Sequence, residues 1–415
     1  MGILRVDHPD IEEFIRVKQN TTNLTQFNLS IAITDEFMHA KAAGEMFDLR
    51  FNGRVYKQVD ARLLWEEIMR STWDWAEPGV LFIDTINRFN NLYYCEDIAA
   101  TNPCGEQPLP PYGACLLGSF NLVKYIVPVF DDEDTIVSYE FDYAQLKLDI
   151  PHVVRAMDNI HDTTVFPLPE QEAESKDKRR MGLGITGLAN AGEILGHAYG
   201  SENFLQWTEG VLEVLRDDVY EASIELAREK GAFPMFDAEQ YVRSAFIQTL
   251  PAHIIDRIGE YGIRNSHLLS FAPTGTISLC ADNVSGGIEP VFAHSFERTI
   301  QTPNGERIEH VKDYAYRFYG VEGRKATELG AEEHLAVLAL CTRFVDSACS
   351  KTVNVDPKMA WEEFTGVYDR AWELKCKGIT TFNPSGKRFG ILNEREEEAG
   401  EACYISAETG QKECS

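Results

Sequence analysis

The chain has 415 residues, 44% hydrophobic and 25% charged, an ordinary make-up for a soluble globular enzyme with one large α/β domain or two to three smaller ones. Lys and Arg number 39 against 66 Asp and Glu, a net charge of −27, which argues against nonspecific binding to nucleic acid or to anionic membranes. Nine cysteines, at 95, 104, 115, 280, 341, 349, 376, 403 and 414, include no CxxC pair, no zinc spacing and no secretory context, so a reducing cytoplasm and no metal site are expected, and no apolar run is long enough for a membrane span.

In chain order, residues 26–34 alternate with period two and predict a strand. Residues 63–75 predict an amphipathic helix ended by Glu77-Pro78-Gly79, followed by a short buried strand at 80–83. Residues 102–115 (NPCGEQPLPPYGAC) are rich in proline and glycine and predict a held loop rather than a helix. Asn102, Cys104 and Glu106 occupy every second position, so an extended segment would turn all three side chains into one small volume. A thiol beside a carboxylate is a poor polar nucleophile, because the negative charge raises its pKa. The pattern points instead to sulfur as a carrier of hydrogen atoms or electrons. The acidic run 131–134 reads as a solvated surface.

Residues 181–188 (MGLGITGL) suggest a strand in close contact with other backbone, and Phe204, Trp207, Val211, Leu215, Ala222 and Leu226 form one stripe of a long helix ending near Gly231. A strand at 268–272 feeds Pro273-Thr274-Gly275-Thr276-Ile277-Ser278, where free N–H groups and hydroxyls make an anion cradle; a simply capped helix start fits as well. Asp356-Pro357 looks like an N-cap and first helical position, with Trp361, Phe364, Tyr368, Ala371 and Leu374 on one face, Gly378 as the stop and a strand at 379–382. Strand–helix alternation predicts an α/β architecture with parallel strands. His152, His161 and His267 lack ligand spacing and read as packing or surface residues, and Cys95, Cys280, Cys341, Cys349 and Cys376 as structural.

Residues 102–115 resemble the active-site loop of ribonucleotide reductase large chains, most of all the class II, adenosylcobalamin-dependent branch. Similar blocks are 272–278 (APTGTIS), 285–293 (SGGIEPVFA), 179–188, 350–354 and 376–380, so the resemblance runs over nearly the whole chain. It implies a ten-stranded α/β barrel of the ribonucleotide reductase and glycyl-radical type over residues 1–392, with the Cys104 loop projecting into its centre, and a flexible acidic tail at 393–415. In that family the cysteine at the Cys104 position becomes a thiyl radical and takes the 3′ hydrogen of a ribonucleoside di- or triphosphate. The resemblance gives Glu106 the 3′-hydroxyl proton, Asn102 substrate orientation, and Cys115 one of two thiols that reduce the 2′ position. Pro273, Thr274, Gly275, Thr276 and Ile277 would hold phosphate. Cys403 and Cys414 would re-reduce the active-site disulfide, with thioredoxin or glutaredoxin as outside reductant. Adenosylcobalamin and a homodimer are further implications.

Thr380-Thr381-Phe382 stand where a class I enzyme, served by a separate radical subunit, carries relay tyrosines; no phenol is there, and no glycyl-radical motif ends the chain. Residues 1–10 resemble a segment well inside the reductase polypeptide, so the barrel is expected to be incomplete at its N-terminal side and Cys115 to lack its partner cysteine. The expectation is a split enzyme completed by an N-terminal reductase segment on a separate chain. An inactive fragment or nucleotide-binding remnant, a class I large chain, and a phosphate-binding module of another barrel enzyme are the competing readings.

Overall fold

Short buried strands alternate with helices in this computed structural model, which describes residues 1–19, 24, 27–302, 305–384, 386, 403–405 and 412–414. Strands β1 (Gly2–Arg5), β2 (Leu29–Ile33) and β3 (Gly79–Phe82) run parallel. So do β4 (Leu116–Asn121) with β5 (Met181–Thr186), and β6 (Thr352–Asn354) with β7 (Gly378–Phe382). Separate two-stranded hairpins are antiparallel, and along the main strand path the expectation of parallel strands fails at one contact. β7 lies antiparallel on β3, pairing Gly378 with Leu81 and Ile379 with Val80. Isolated bridges between Cys349 and Phe271 and between Leu269 and Leu183 continue the path. The order is therefore β1–β2–β3–β7–β6, then residues 268–271, then β5–β4. Among the described residues β1 and β4 are its two ends, and the fold is a mixed α/β one without a closed ring of strands.

The residue pattern explains the layering. Ile31, Ile33, Val80, Phe82, Met181, Leu183 and Ile185 join the large hydrophobic cluster that the helices cover. Ala32 and Leu81 face the other way and pack with Ile83, Ile86 and Ile98 in a small second cluster, with Ile3 against it. The strand expected at 26–34 forms over Leu29–Ile33, and all five of its residues are buried, covered on both faces as strands of parallel sheets are.

Helix α1 (Asp35–Ala43) starts at the Thr34 hydroxyl, which accepts from the Phe37 N–H, and ends at left-handed Gly44. Helix α2 (Ala61–Trp75) is capped by Asp60, which accepts from the N–H groups of Arg62 and Leu63, and buries Leu64, Trp65, Ile68 and Met69. Helix α3 (Glu202–Lys230) runs from a Ser201 cap to Gly231, as expected. Helix α4 (Ala331–Thr342) precedes β6, and helix α5 (Trp361–Glu373) precedes β7. Asp356 does not cap α5. Its carboxylate accepts from the Lys358 N–H in a preceding turn, and the helix waits for Trp361. Nor is Gly378 the stop: Lys375 takes the left-handed conformation, and Gly378 opens β7.

Glycines decide how close elements come. A Cβ on Gly182 would run into Gln107, Leu117 and Ser270, and one on Gly184 into the Ser270 carbonyl. Gly366, inside α5, has open space around its Cβ direction. Gly184→Ala is expected to destabilise the fold by about 1–3 kcal/mol, because backbone cannot yield as a side chain can. Gly366→Ala should stabilise it by about 0.5–1 kcal/mol. Urea unfolding of both variants checks the contrast.

Candidate active site

Two-residue strands, Ala100–Thr101 and Pro108–Leu109, pair antiparallel and present residues 102–107 as a hairpin tip. The Gly105 N–H donates to the Asn102 carbonyl (3.1 Å), the Asn102 N–H to the Gln107 carbonyl (3.0 Å), and the Gln107 N–H to Asn102 Oδ1 (3.0 Å). Gly105 takes the left-handed conformation that this turn needs, at φ +83°. Asn102, Cys104 and Glu106 thus share a tight turn rather than alternating along an extended strand, and the Asn102 side chain helps to close it.

The tip reaches both β3 and β5. Gly105 lies against Leu81 of β3, while Gln107 is packed under Gly182 of β5. The Glu106 carbonyl is held from two sides, by the Ala348 N–H (3.0 Å) and the Ser270 hydroxyl (2.9 Å). Upstream, Asn87 grips both backbone groups of Ile98, donating to its carbonyl at 2.9 Å and accepting from its N–H at 2.8 Å. Glu96 is ion-paired to Arg180 and Lys178, both at 2.7 Å, in a buried cluster where Asn90 also donates to Glu96 at 3.0 Å. His267, which bonds Asn90 and Arg180, is a packing residue of this cluster.

Cys104 is exposed and Glu106 buried. Burial pushes the Cys104 thiol up, and the charge of Glu106 adds to it, so Cys104 stands as a protonated thiol at neutral pH. Burial also pushes the Glu106 carboxyl up, offset in part by its own backbone N–H and the Asn102 amide. Glu106 Oε2 is buried with no hydrogen-bond partner among the described residues, and so are both polar atoms of Gln107. Cys115 lies just before β4. Burial raises its thiol strongly, Arg180 pulls it down, and the charges of Asp346 and Glu106 add to the rise, which places Cys115 within electrostatic reach of Glu106.

Residues 273–277 continue from the segment that carries Ser270. Thr274 is left-handed at φ +51°, and its hydroxyl is spent internally, bonding Thr186 (2.8 Å) and accepting from the Gly287 N–H (2.7 Å). The N–H groups of Gly275 and Thr276 have no acceptor among the described residues. Any anion here would therefore meet backbone rather than the Thr274 side chain. Cys403 and Cys414 stand opposite each other in an antiparallel pair of short strands, Cys403–Ile405 and Lys412–Cys414. The rest of the tail expected to be mobile, and the 392/393 boundary, lie outside the described residues. Cys341, Cys349 and Cys376 are buried, whereas Cys95 and Cys280 are exposed. Sequence reasoning missed Ser270, Ala348, Glu96 and Arg180; the glycine spacing at 182 and 184 was the one available hint of the close approach.

Residues 1–382 match the family described as ribonucleotide reductase, barrel domain. The chain is 32% identical to a vitamin B12-dependent ribonucleoside-diphosphate reductase of Thermoplasma acidophilum, over 94% of this chain and 52% of the relative. A protein of the same description from Mycobacterium tuberculosis (strain CDC 1551 / Oshkosh) is also 32% identical, over 95% of this chain and 57% of the relative. A ribonucleoside-diphosphate reductase subunit alpha of Chlamydia pneumoniae is 26% identical over 63% of this chain. The chain spans about half the length of the curated relatives it matches first.

The Glu96 cluster gives a pH test. Burial opposes its ionisation, but Arg180 and Lys178 outweigh this and hold its pKa below the ordinary 4.5. The stability it contributes is complete above pH 4.5 and is lost as pH falls through the lower folded value. Glu96→Gln leaves two buried cations short of charge and should cost about 3–5 kcal/mol at neutral pH. It should also flatten the acid limb of the stability–pH curve, measured by urea unfolding.

Proposed function

Since this chain belongs to the ribonucleotide reductase barrel-domain family, and is related to vitamin B12-dependent reductases, we propose that it carries the radical-initiating site for reduction of ribonucleotides to 2′-deoxyribonucleotides. The observation that supports this most is the hairpin tip, where an exposed, protonated thiol on Cys104 stands within electrostatic reach of Glu106, whose buried Oε2 is left for a ligand. A thiol that keeps its hydrogen suits hydrogen-atom transfer and not nucleophilic attack.

Cys104, once a thiyl, takes the 3′ hydrogen of the sugar and returns it at the end. Glu106 accepts the 3′-hydroxyl proton through Oε2. The 2′-hydroxyl leaves as water, and the two electrons come from Cys115 and a second thiol supplied by another segment, which end as a disulfide. The free N–H groups of Gly275 and Thr276 receive the substrate's phosphates, with Pro273, Thr274 and Ile277 shaping the loop. Cys403 and Cys414, opposed in register, then exchange with the disulfide and pass it to thioredoxin or glutaredoxin.

When bound, adenosylcobalamin would supply the carbon-centred radical that draws a hydrogen atom from a thiol. The residues present fit that source: Cys104 is exposed and protonated, and Thr380, Thr381 and Phe382 of β7 offer no phenol for an electron relay. The ends of the strand path at β1 and β4 fit an N-terminal reductase segment whose strands complete a ten-stranded barrel. A cytoplasmic homodimer completes the reading. No helix among the described residues is long and apolar enough to cross a membrane.

Co-expression with such a segment should give ribonucleotide reduction that depends on adenosylcobalamin. Cys104→Ser should lower turnover by at least about 10³-fold, and Glu106→Gln by about 10²–10⁴-fold. Turnover without cobalamin, or undiminished in Cys104→Ser, would overturn the mechanism. Phosphate binding indifferent to Cys104 and Glu106, with no turnover in the assembled pair, would favour a nucleotide-binding remnant.

A further inference from the structure

Lys377, the residue before β7, has a buried ammonium that no step of the proposed chemistry uses. It donates to the backbone carbonyls of three consecutive residues, Val345 (3.1 Å), Asp346 (2.9 Å) and Ser347. A lysine has three donors, and here all three are matched. The turn they hold follows α4 and is stitched to residues 268–269. The Asp346 carboxylate accepts from the N–H groups of Leu268 (2.7 Å) and Leu269 (2.9 Å) and from the Tyr220 hydroxyl (2.7 Å), and the Ser347 N–H donates to the Leu269 carbonyl (3.1 Å). The next residue is Ala348, whose N–H holds the Glu106 carbonyl at 3.0 Å.

The charge is kept at this place against its own tendency. Burial brings the lysine down to about 8, although the Asp346 carboxylate and the Cys349 thiol act to raise it. His267 also feels it: burial and Arg180 push its imidazole well down, and Lys377 adds to that. A buried ammonium is weak as a stabilising device, since an apolar side chain of similar volume would avoid the desolvation.

We propose that Lys377 is a positioning residue for the Cys104–Glu106 pair: by fixing the 345–347 turn it aims the Ala348 N–H at the hairpin and so sets how close the Glu106 carboxylate lies to the Cys104 thiol. The proposal rests on the reading of that pair given above, and it adds a residue that touches neither substrate nor thiol. Three bonds from one ammonium lock a turn that otherwise has only its stitching to the neighbouring segment. The Ser270 hydroxyl is the hairpin's other anchor and would remain when Lys377 is changed.

The test reads the pair without turnover. Cys104 is exposed, so alkylation of the full chain by iodoacetamide, followed residue by residue by peptide mass spectrometry across pH 7–10, gives its titration. Glu106 raises the Cys104 pKa, so removing or displacing that carboxylate should make alkylation at pH 8 about threefold faster. Glu106→Gln is the control and Lys377→Met the test; both should show the increase. If Glu106→Gln does and a folded Lys377→Met does not, the positioning role is overturned. If Glu106→Gln itself changes nothing, the Cys104–Glu106 pairing fails and the proposal falls with it. Lys377→Gln replaces the methionine variant if that one melts below the assay temperature. A measurement on the unaltered chain stands beside these. Deuterium exchange at the Ala348 amide should lose protection as pH rises through 8, where Lys377 gives up its proton, beyond the ordinary base-catalysed increase. Unchanged protection across that range would also overturn the role.

Discussion

A hairpin can lie inside a path of strands only where the strands facing it give up their side chains. That constraint is visible where Gln107 packs under Gly182, and the strands beside it approach one another through glycines as well. Gly182 and Gly184 open β5 toward Gln107 and Ser270, Gly378 opens β7 toward Leu81, and Gly105 on the hairpin meets Leu81 in return. With the gaps closed by backbone, the tip is fixed through main-chain groups. Asn102 ties to Gln107 within the turn, and the Glu106 carbonyl bridges Ala348 and Ser270, which belong to different segments. The turn that carries Cys104 is thus anchored on Ser270 and Ala348.

Electrostatics follows from the same packing. Burial is the first cause of each shift at the site: it raises the Cys104 thiol, the Cys115 thiol and the Glu106 carboxyl alike. Two thiols that keep their hydrogens, beside a carboxylate that burial makes a readier proton acceptor, suit hydrogen-atom and proton transfer. Among the charges further back, two arginines and a lysine are paired with carboxylates. Glu96 is matched by Arg180 and Lys178, and the adjacent Arg179 turns to Asp158 (2.7 Å) and Asp162 (2.8 Å). Buried ion pairs contribute little net stability, but they tolerate displacement poorly, since parting them strands a charge. Such pairs are suited to holding the strand leading into the hairpin in one place.

Much of this was legible in the sequence, and the reasons for the rest are physical. Helices at 61–75 and 202–230 and strands at 79–82 and 181–186 carry strong apolar periodicity or are bounded by turn residues, and their bounds come out close. The acid–thiol logic of Cys104 and Glu106 needed only two residue types in one turn. Asp356-Pro357 misled because an Asx turn and a helix cap use the same side chain, and which one forms depends on where α5 packs. The antiparallel contact of β3 with β7 could not be read, since strand direction is set by chain routing and not by composition. Ala348 was invisible for a plainer reason. Its contribution is a backbone N–H, which every residue but proline has, so only its position reveals it.

Thr274 makes the same point from the other side. The sequence offers a hydroxyl in a loop where a phosphate is expected, and the inference that the hydroxyl meets the ligand is natural. Yet a hydroxyl at a left-handed, buried position has its direction set by its neighbours, here Thr186 and the Gly287 N–H. The crowding is specific, since a Cβ on Gly286 or Gly287 would run into the carbonyl of Pro273 or Ala272. The side chain therefore shapes the loop, and the groups left for an anion are the N–H donors of Gly275 and Thr276. Backbone donors aimed by a braced turn do not depend on a rotamer and carry no charge that must be neutralised when the site is empty. In a chain of net charge −27, an anion cradle built from dipoles would have to act by local geometry alone, against the field of the whole molecule.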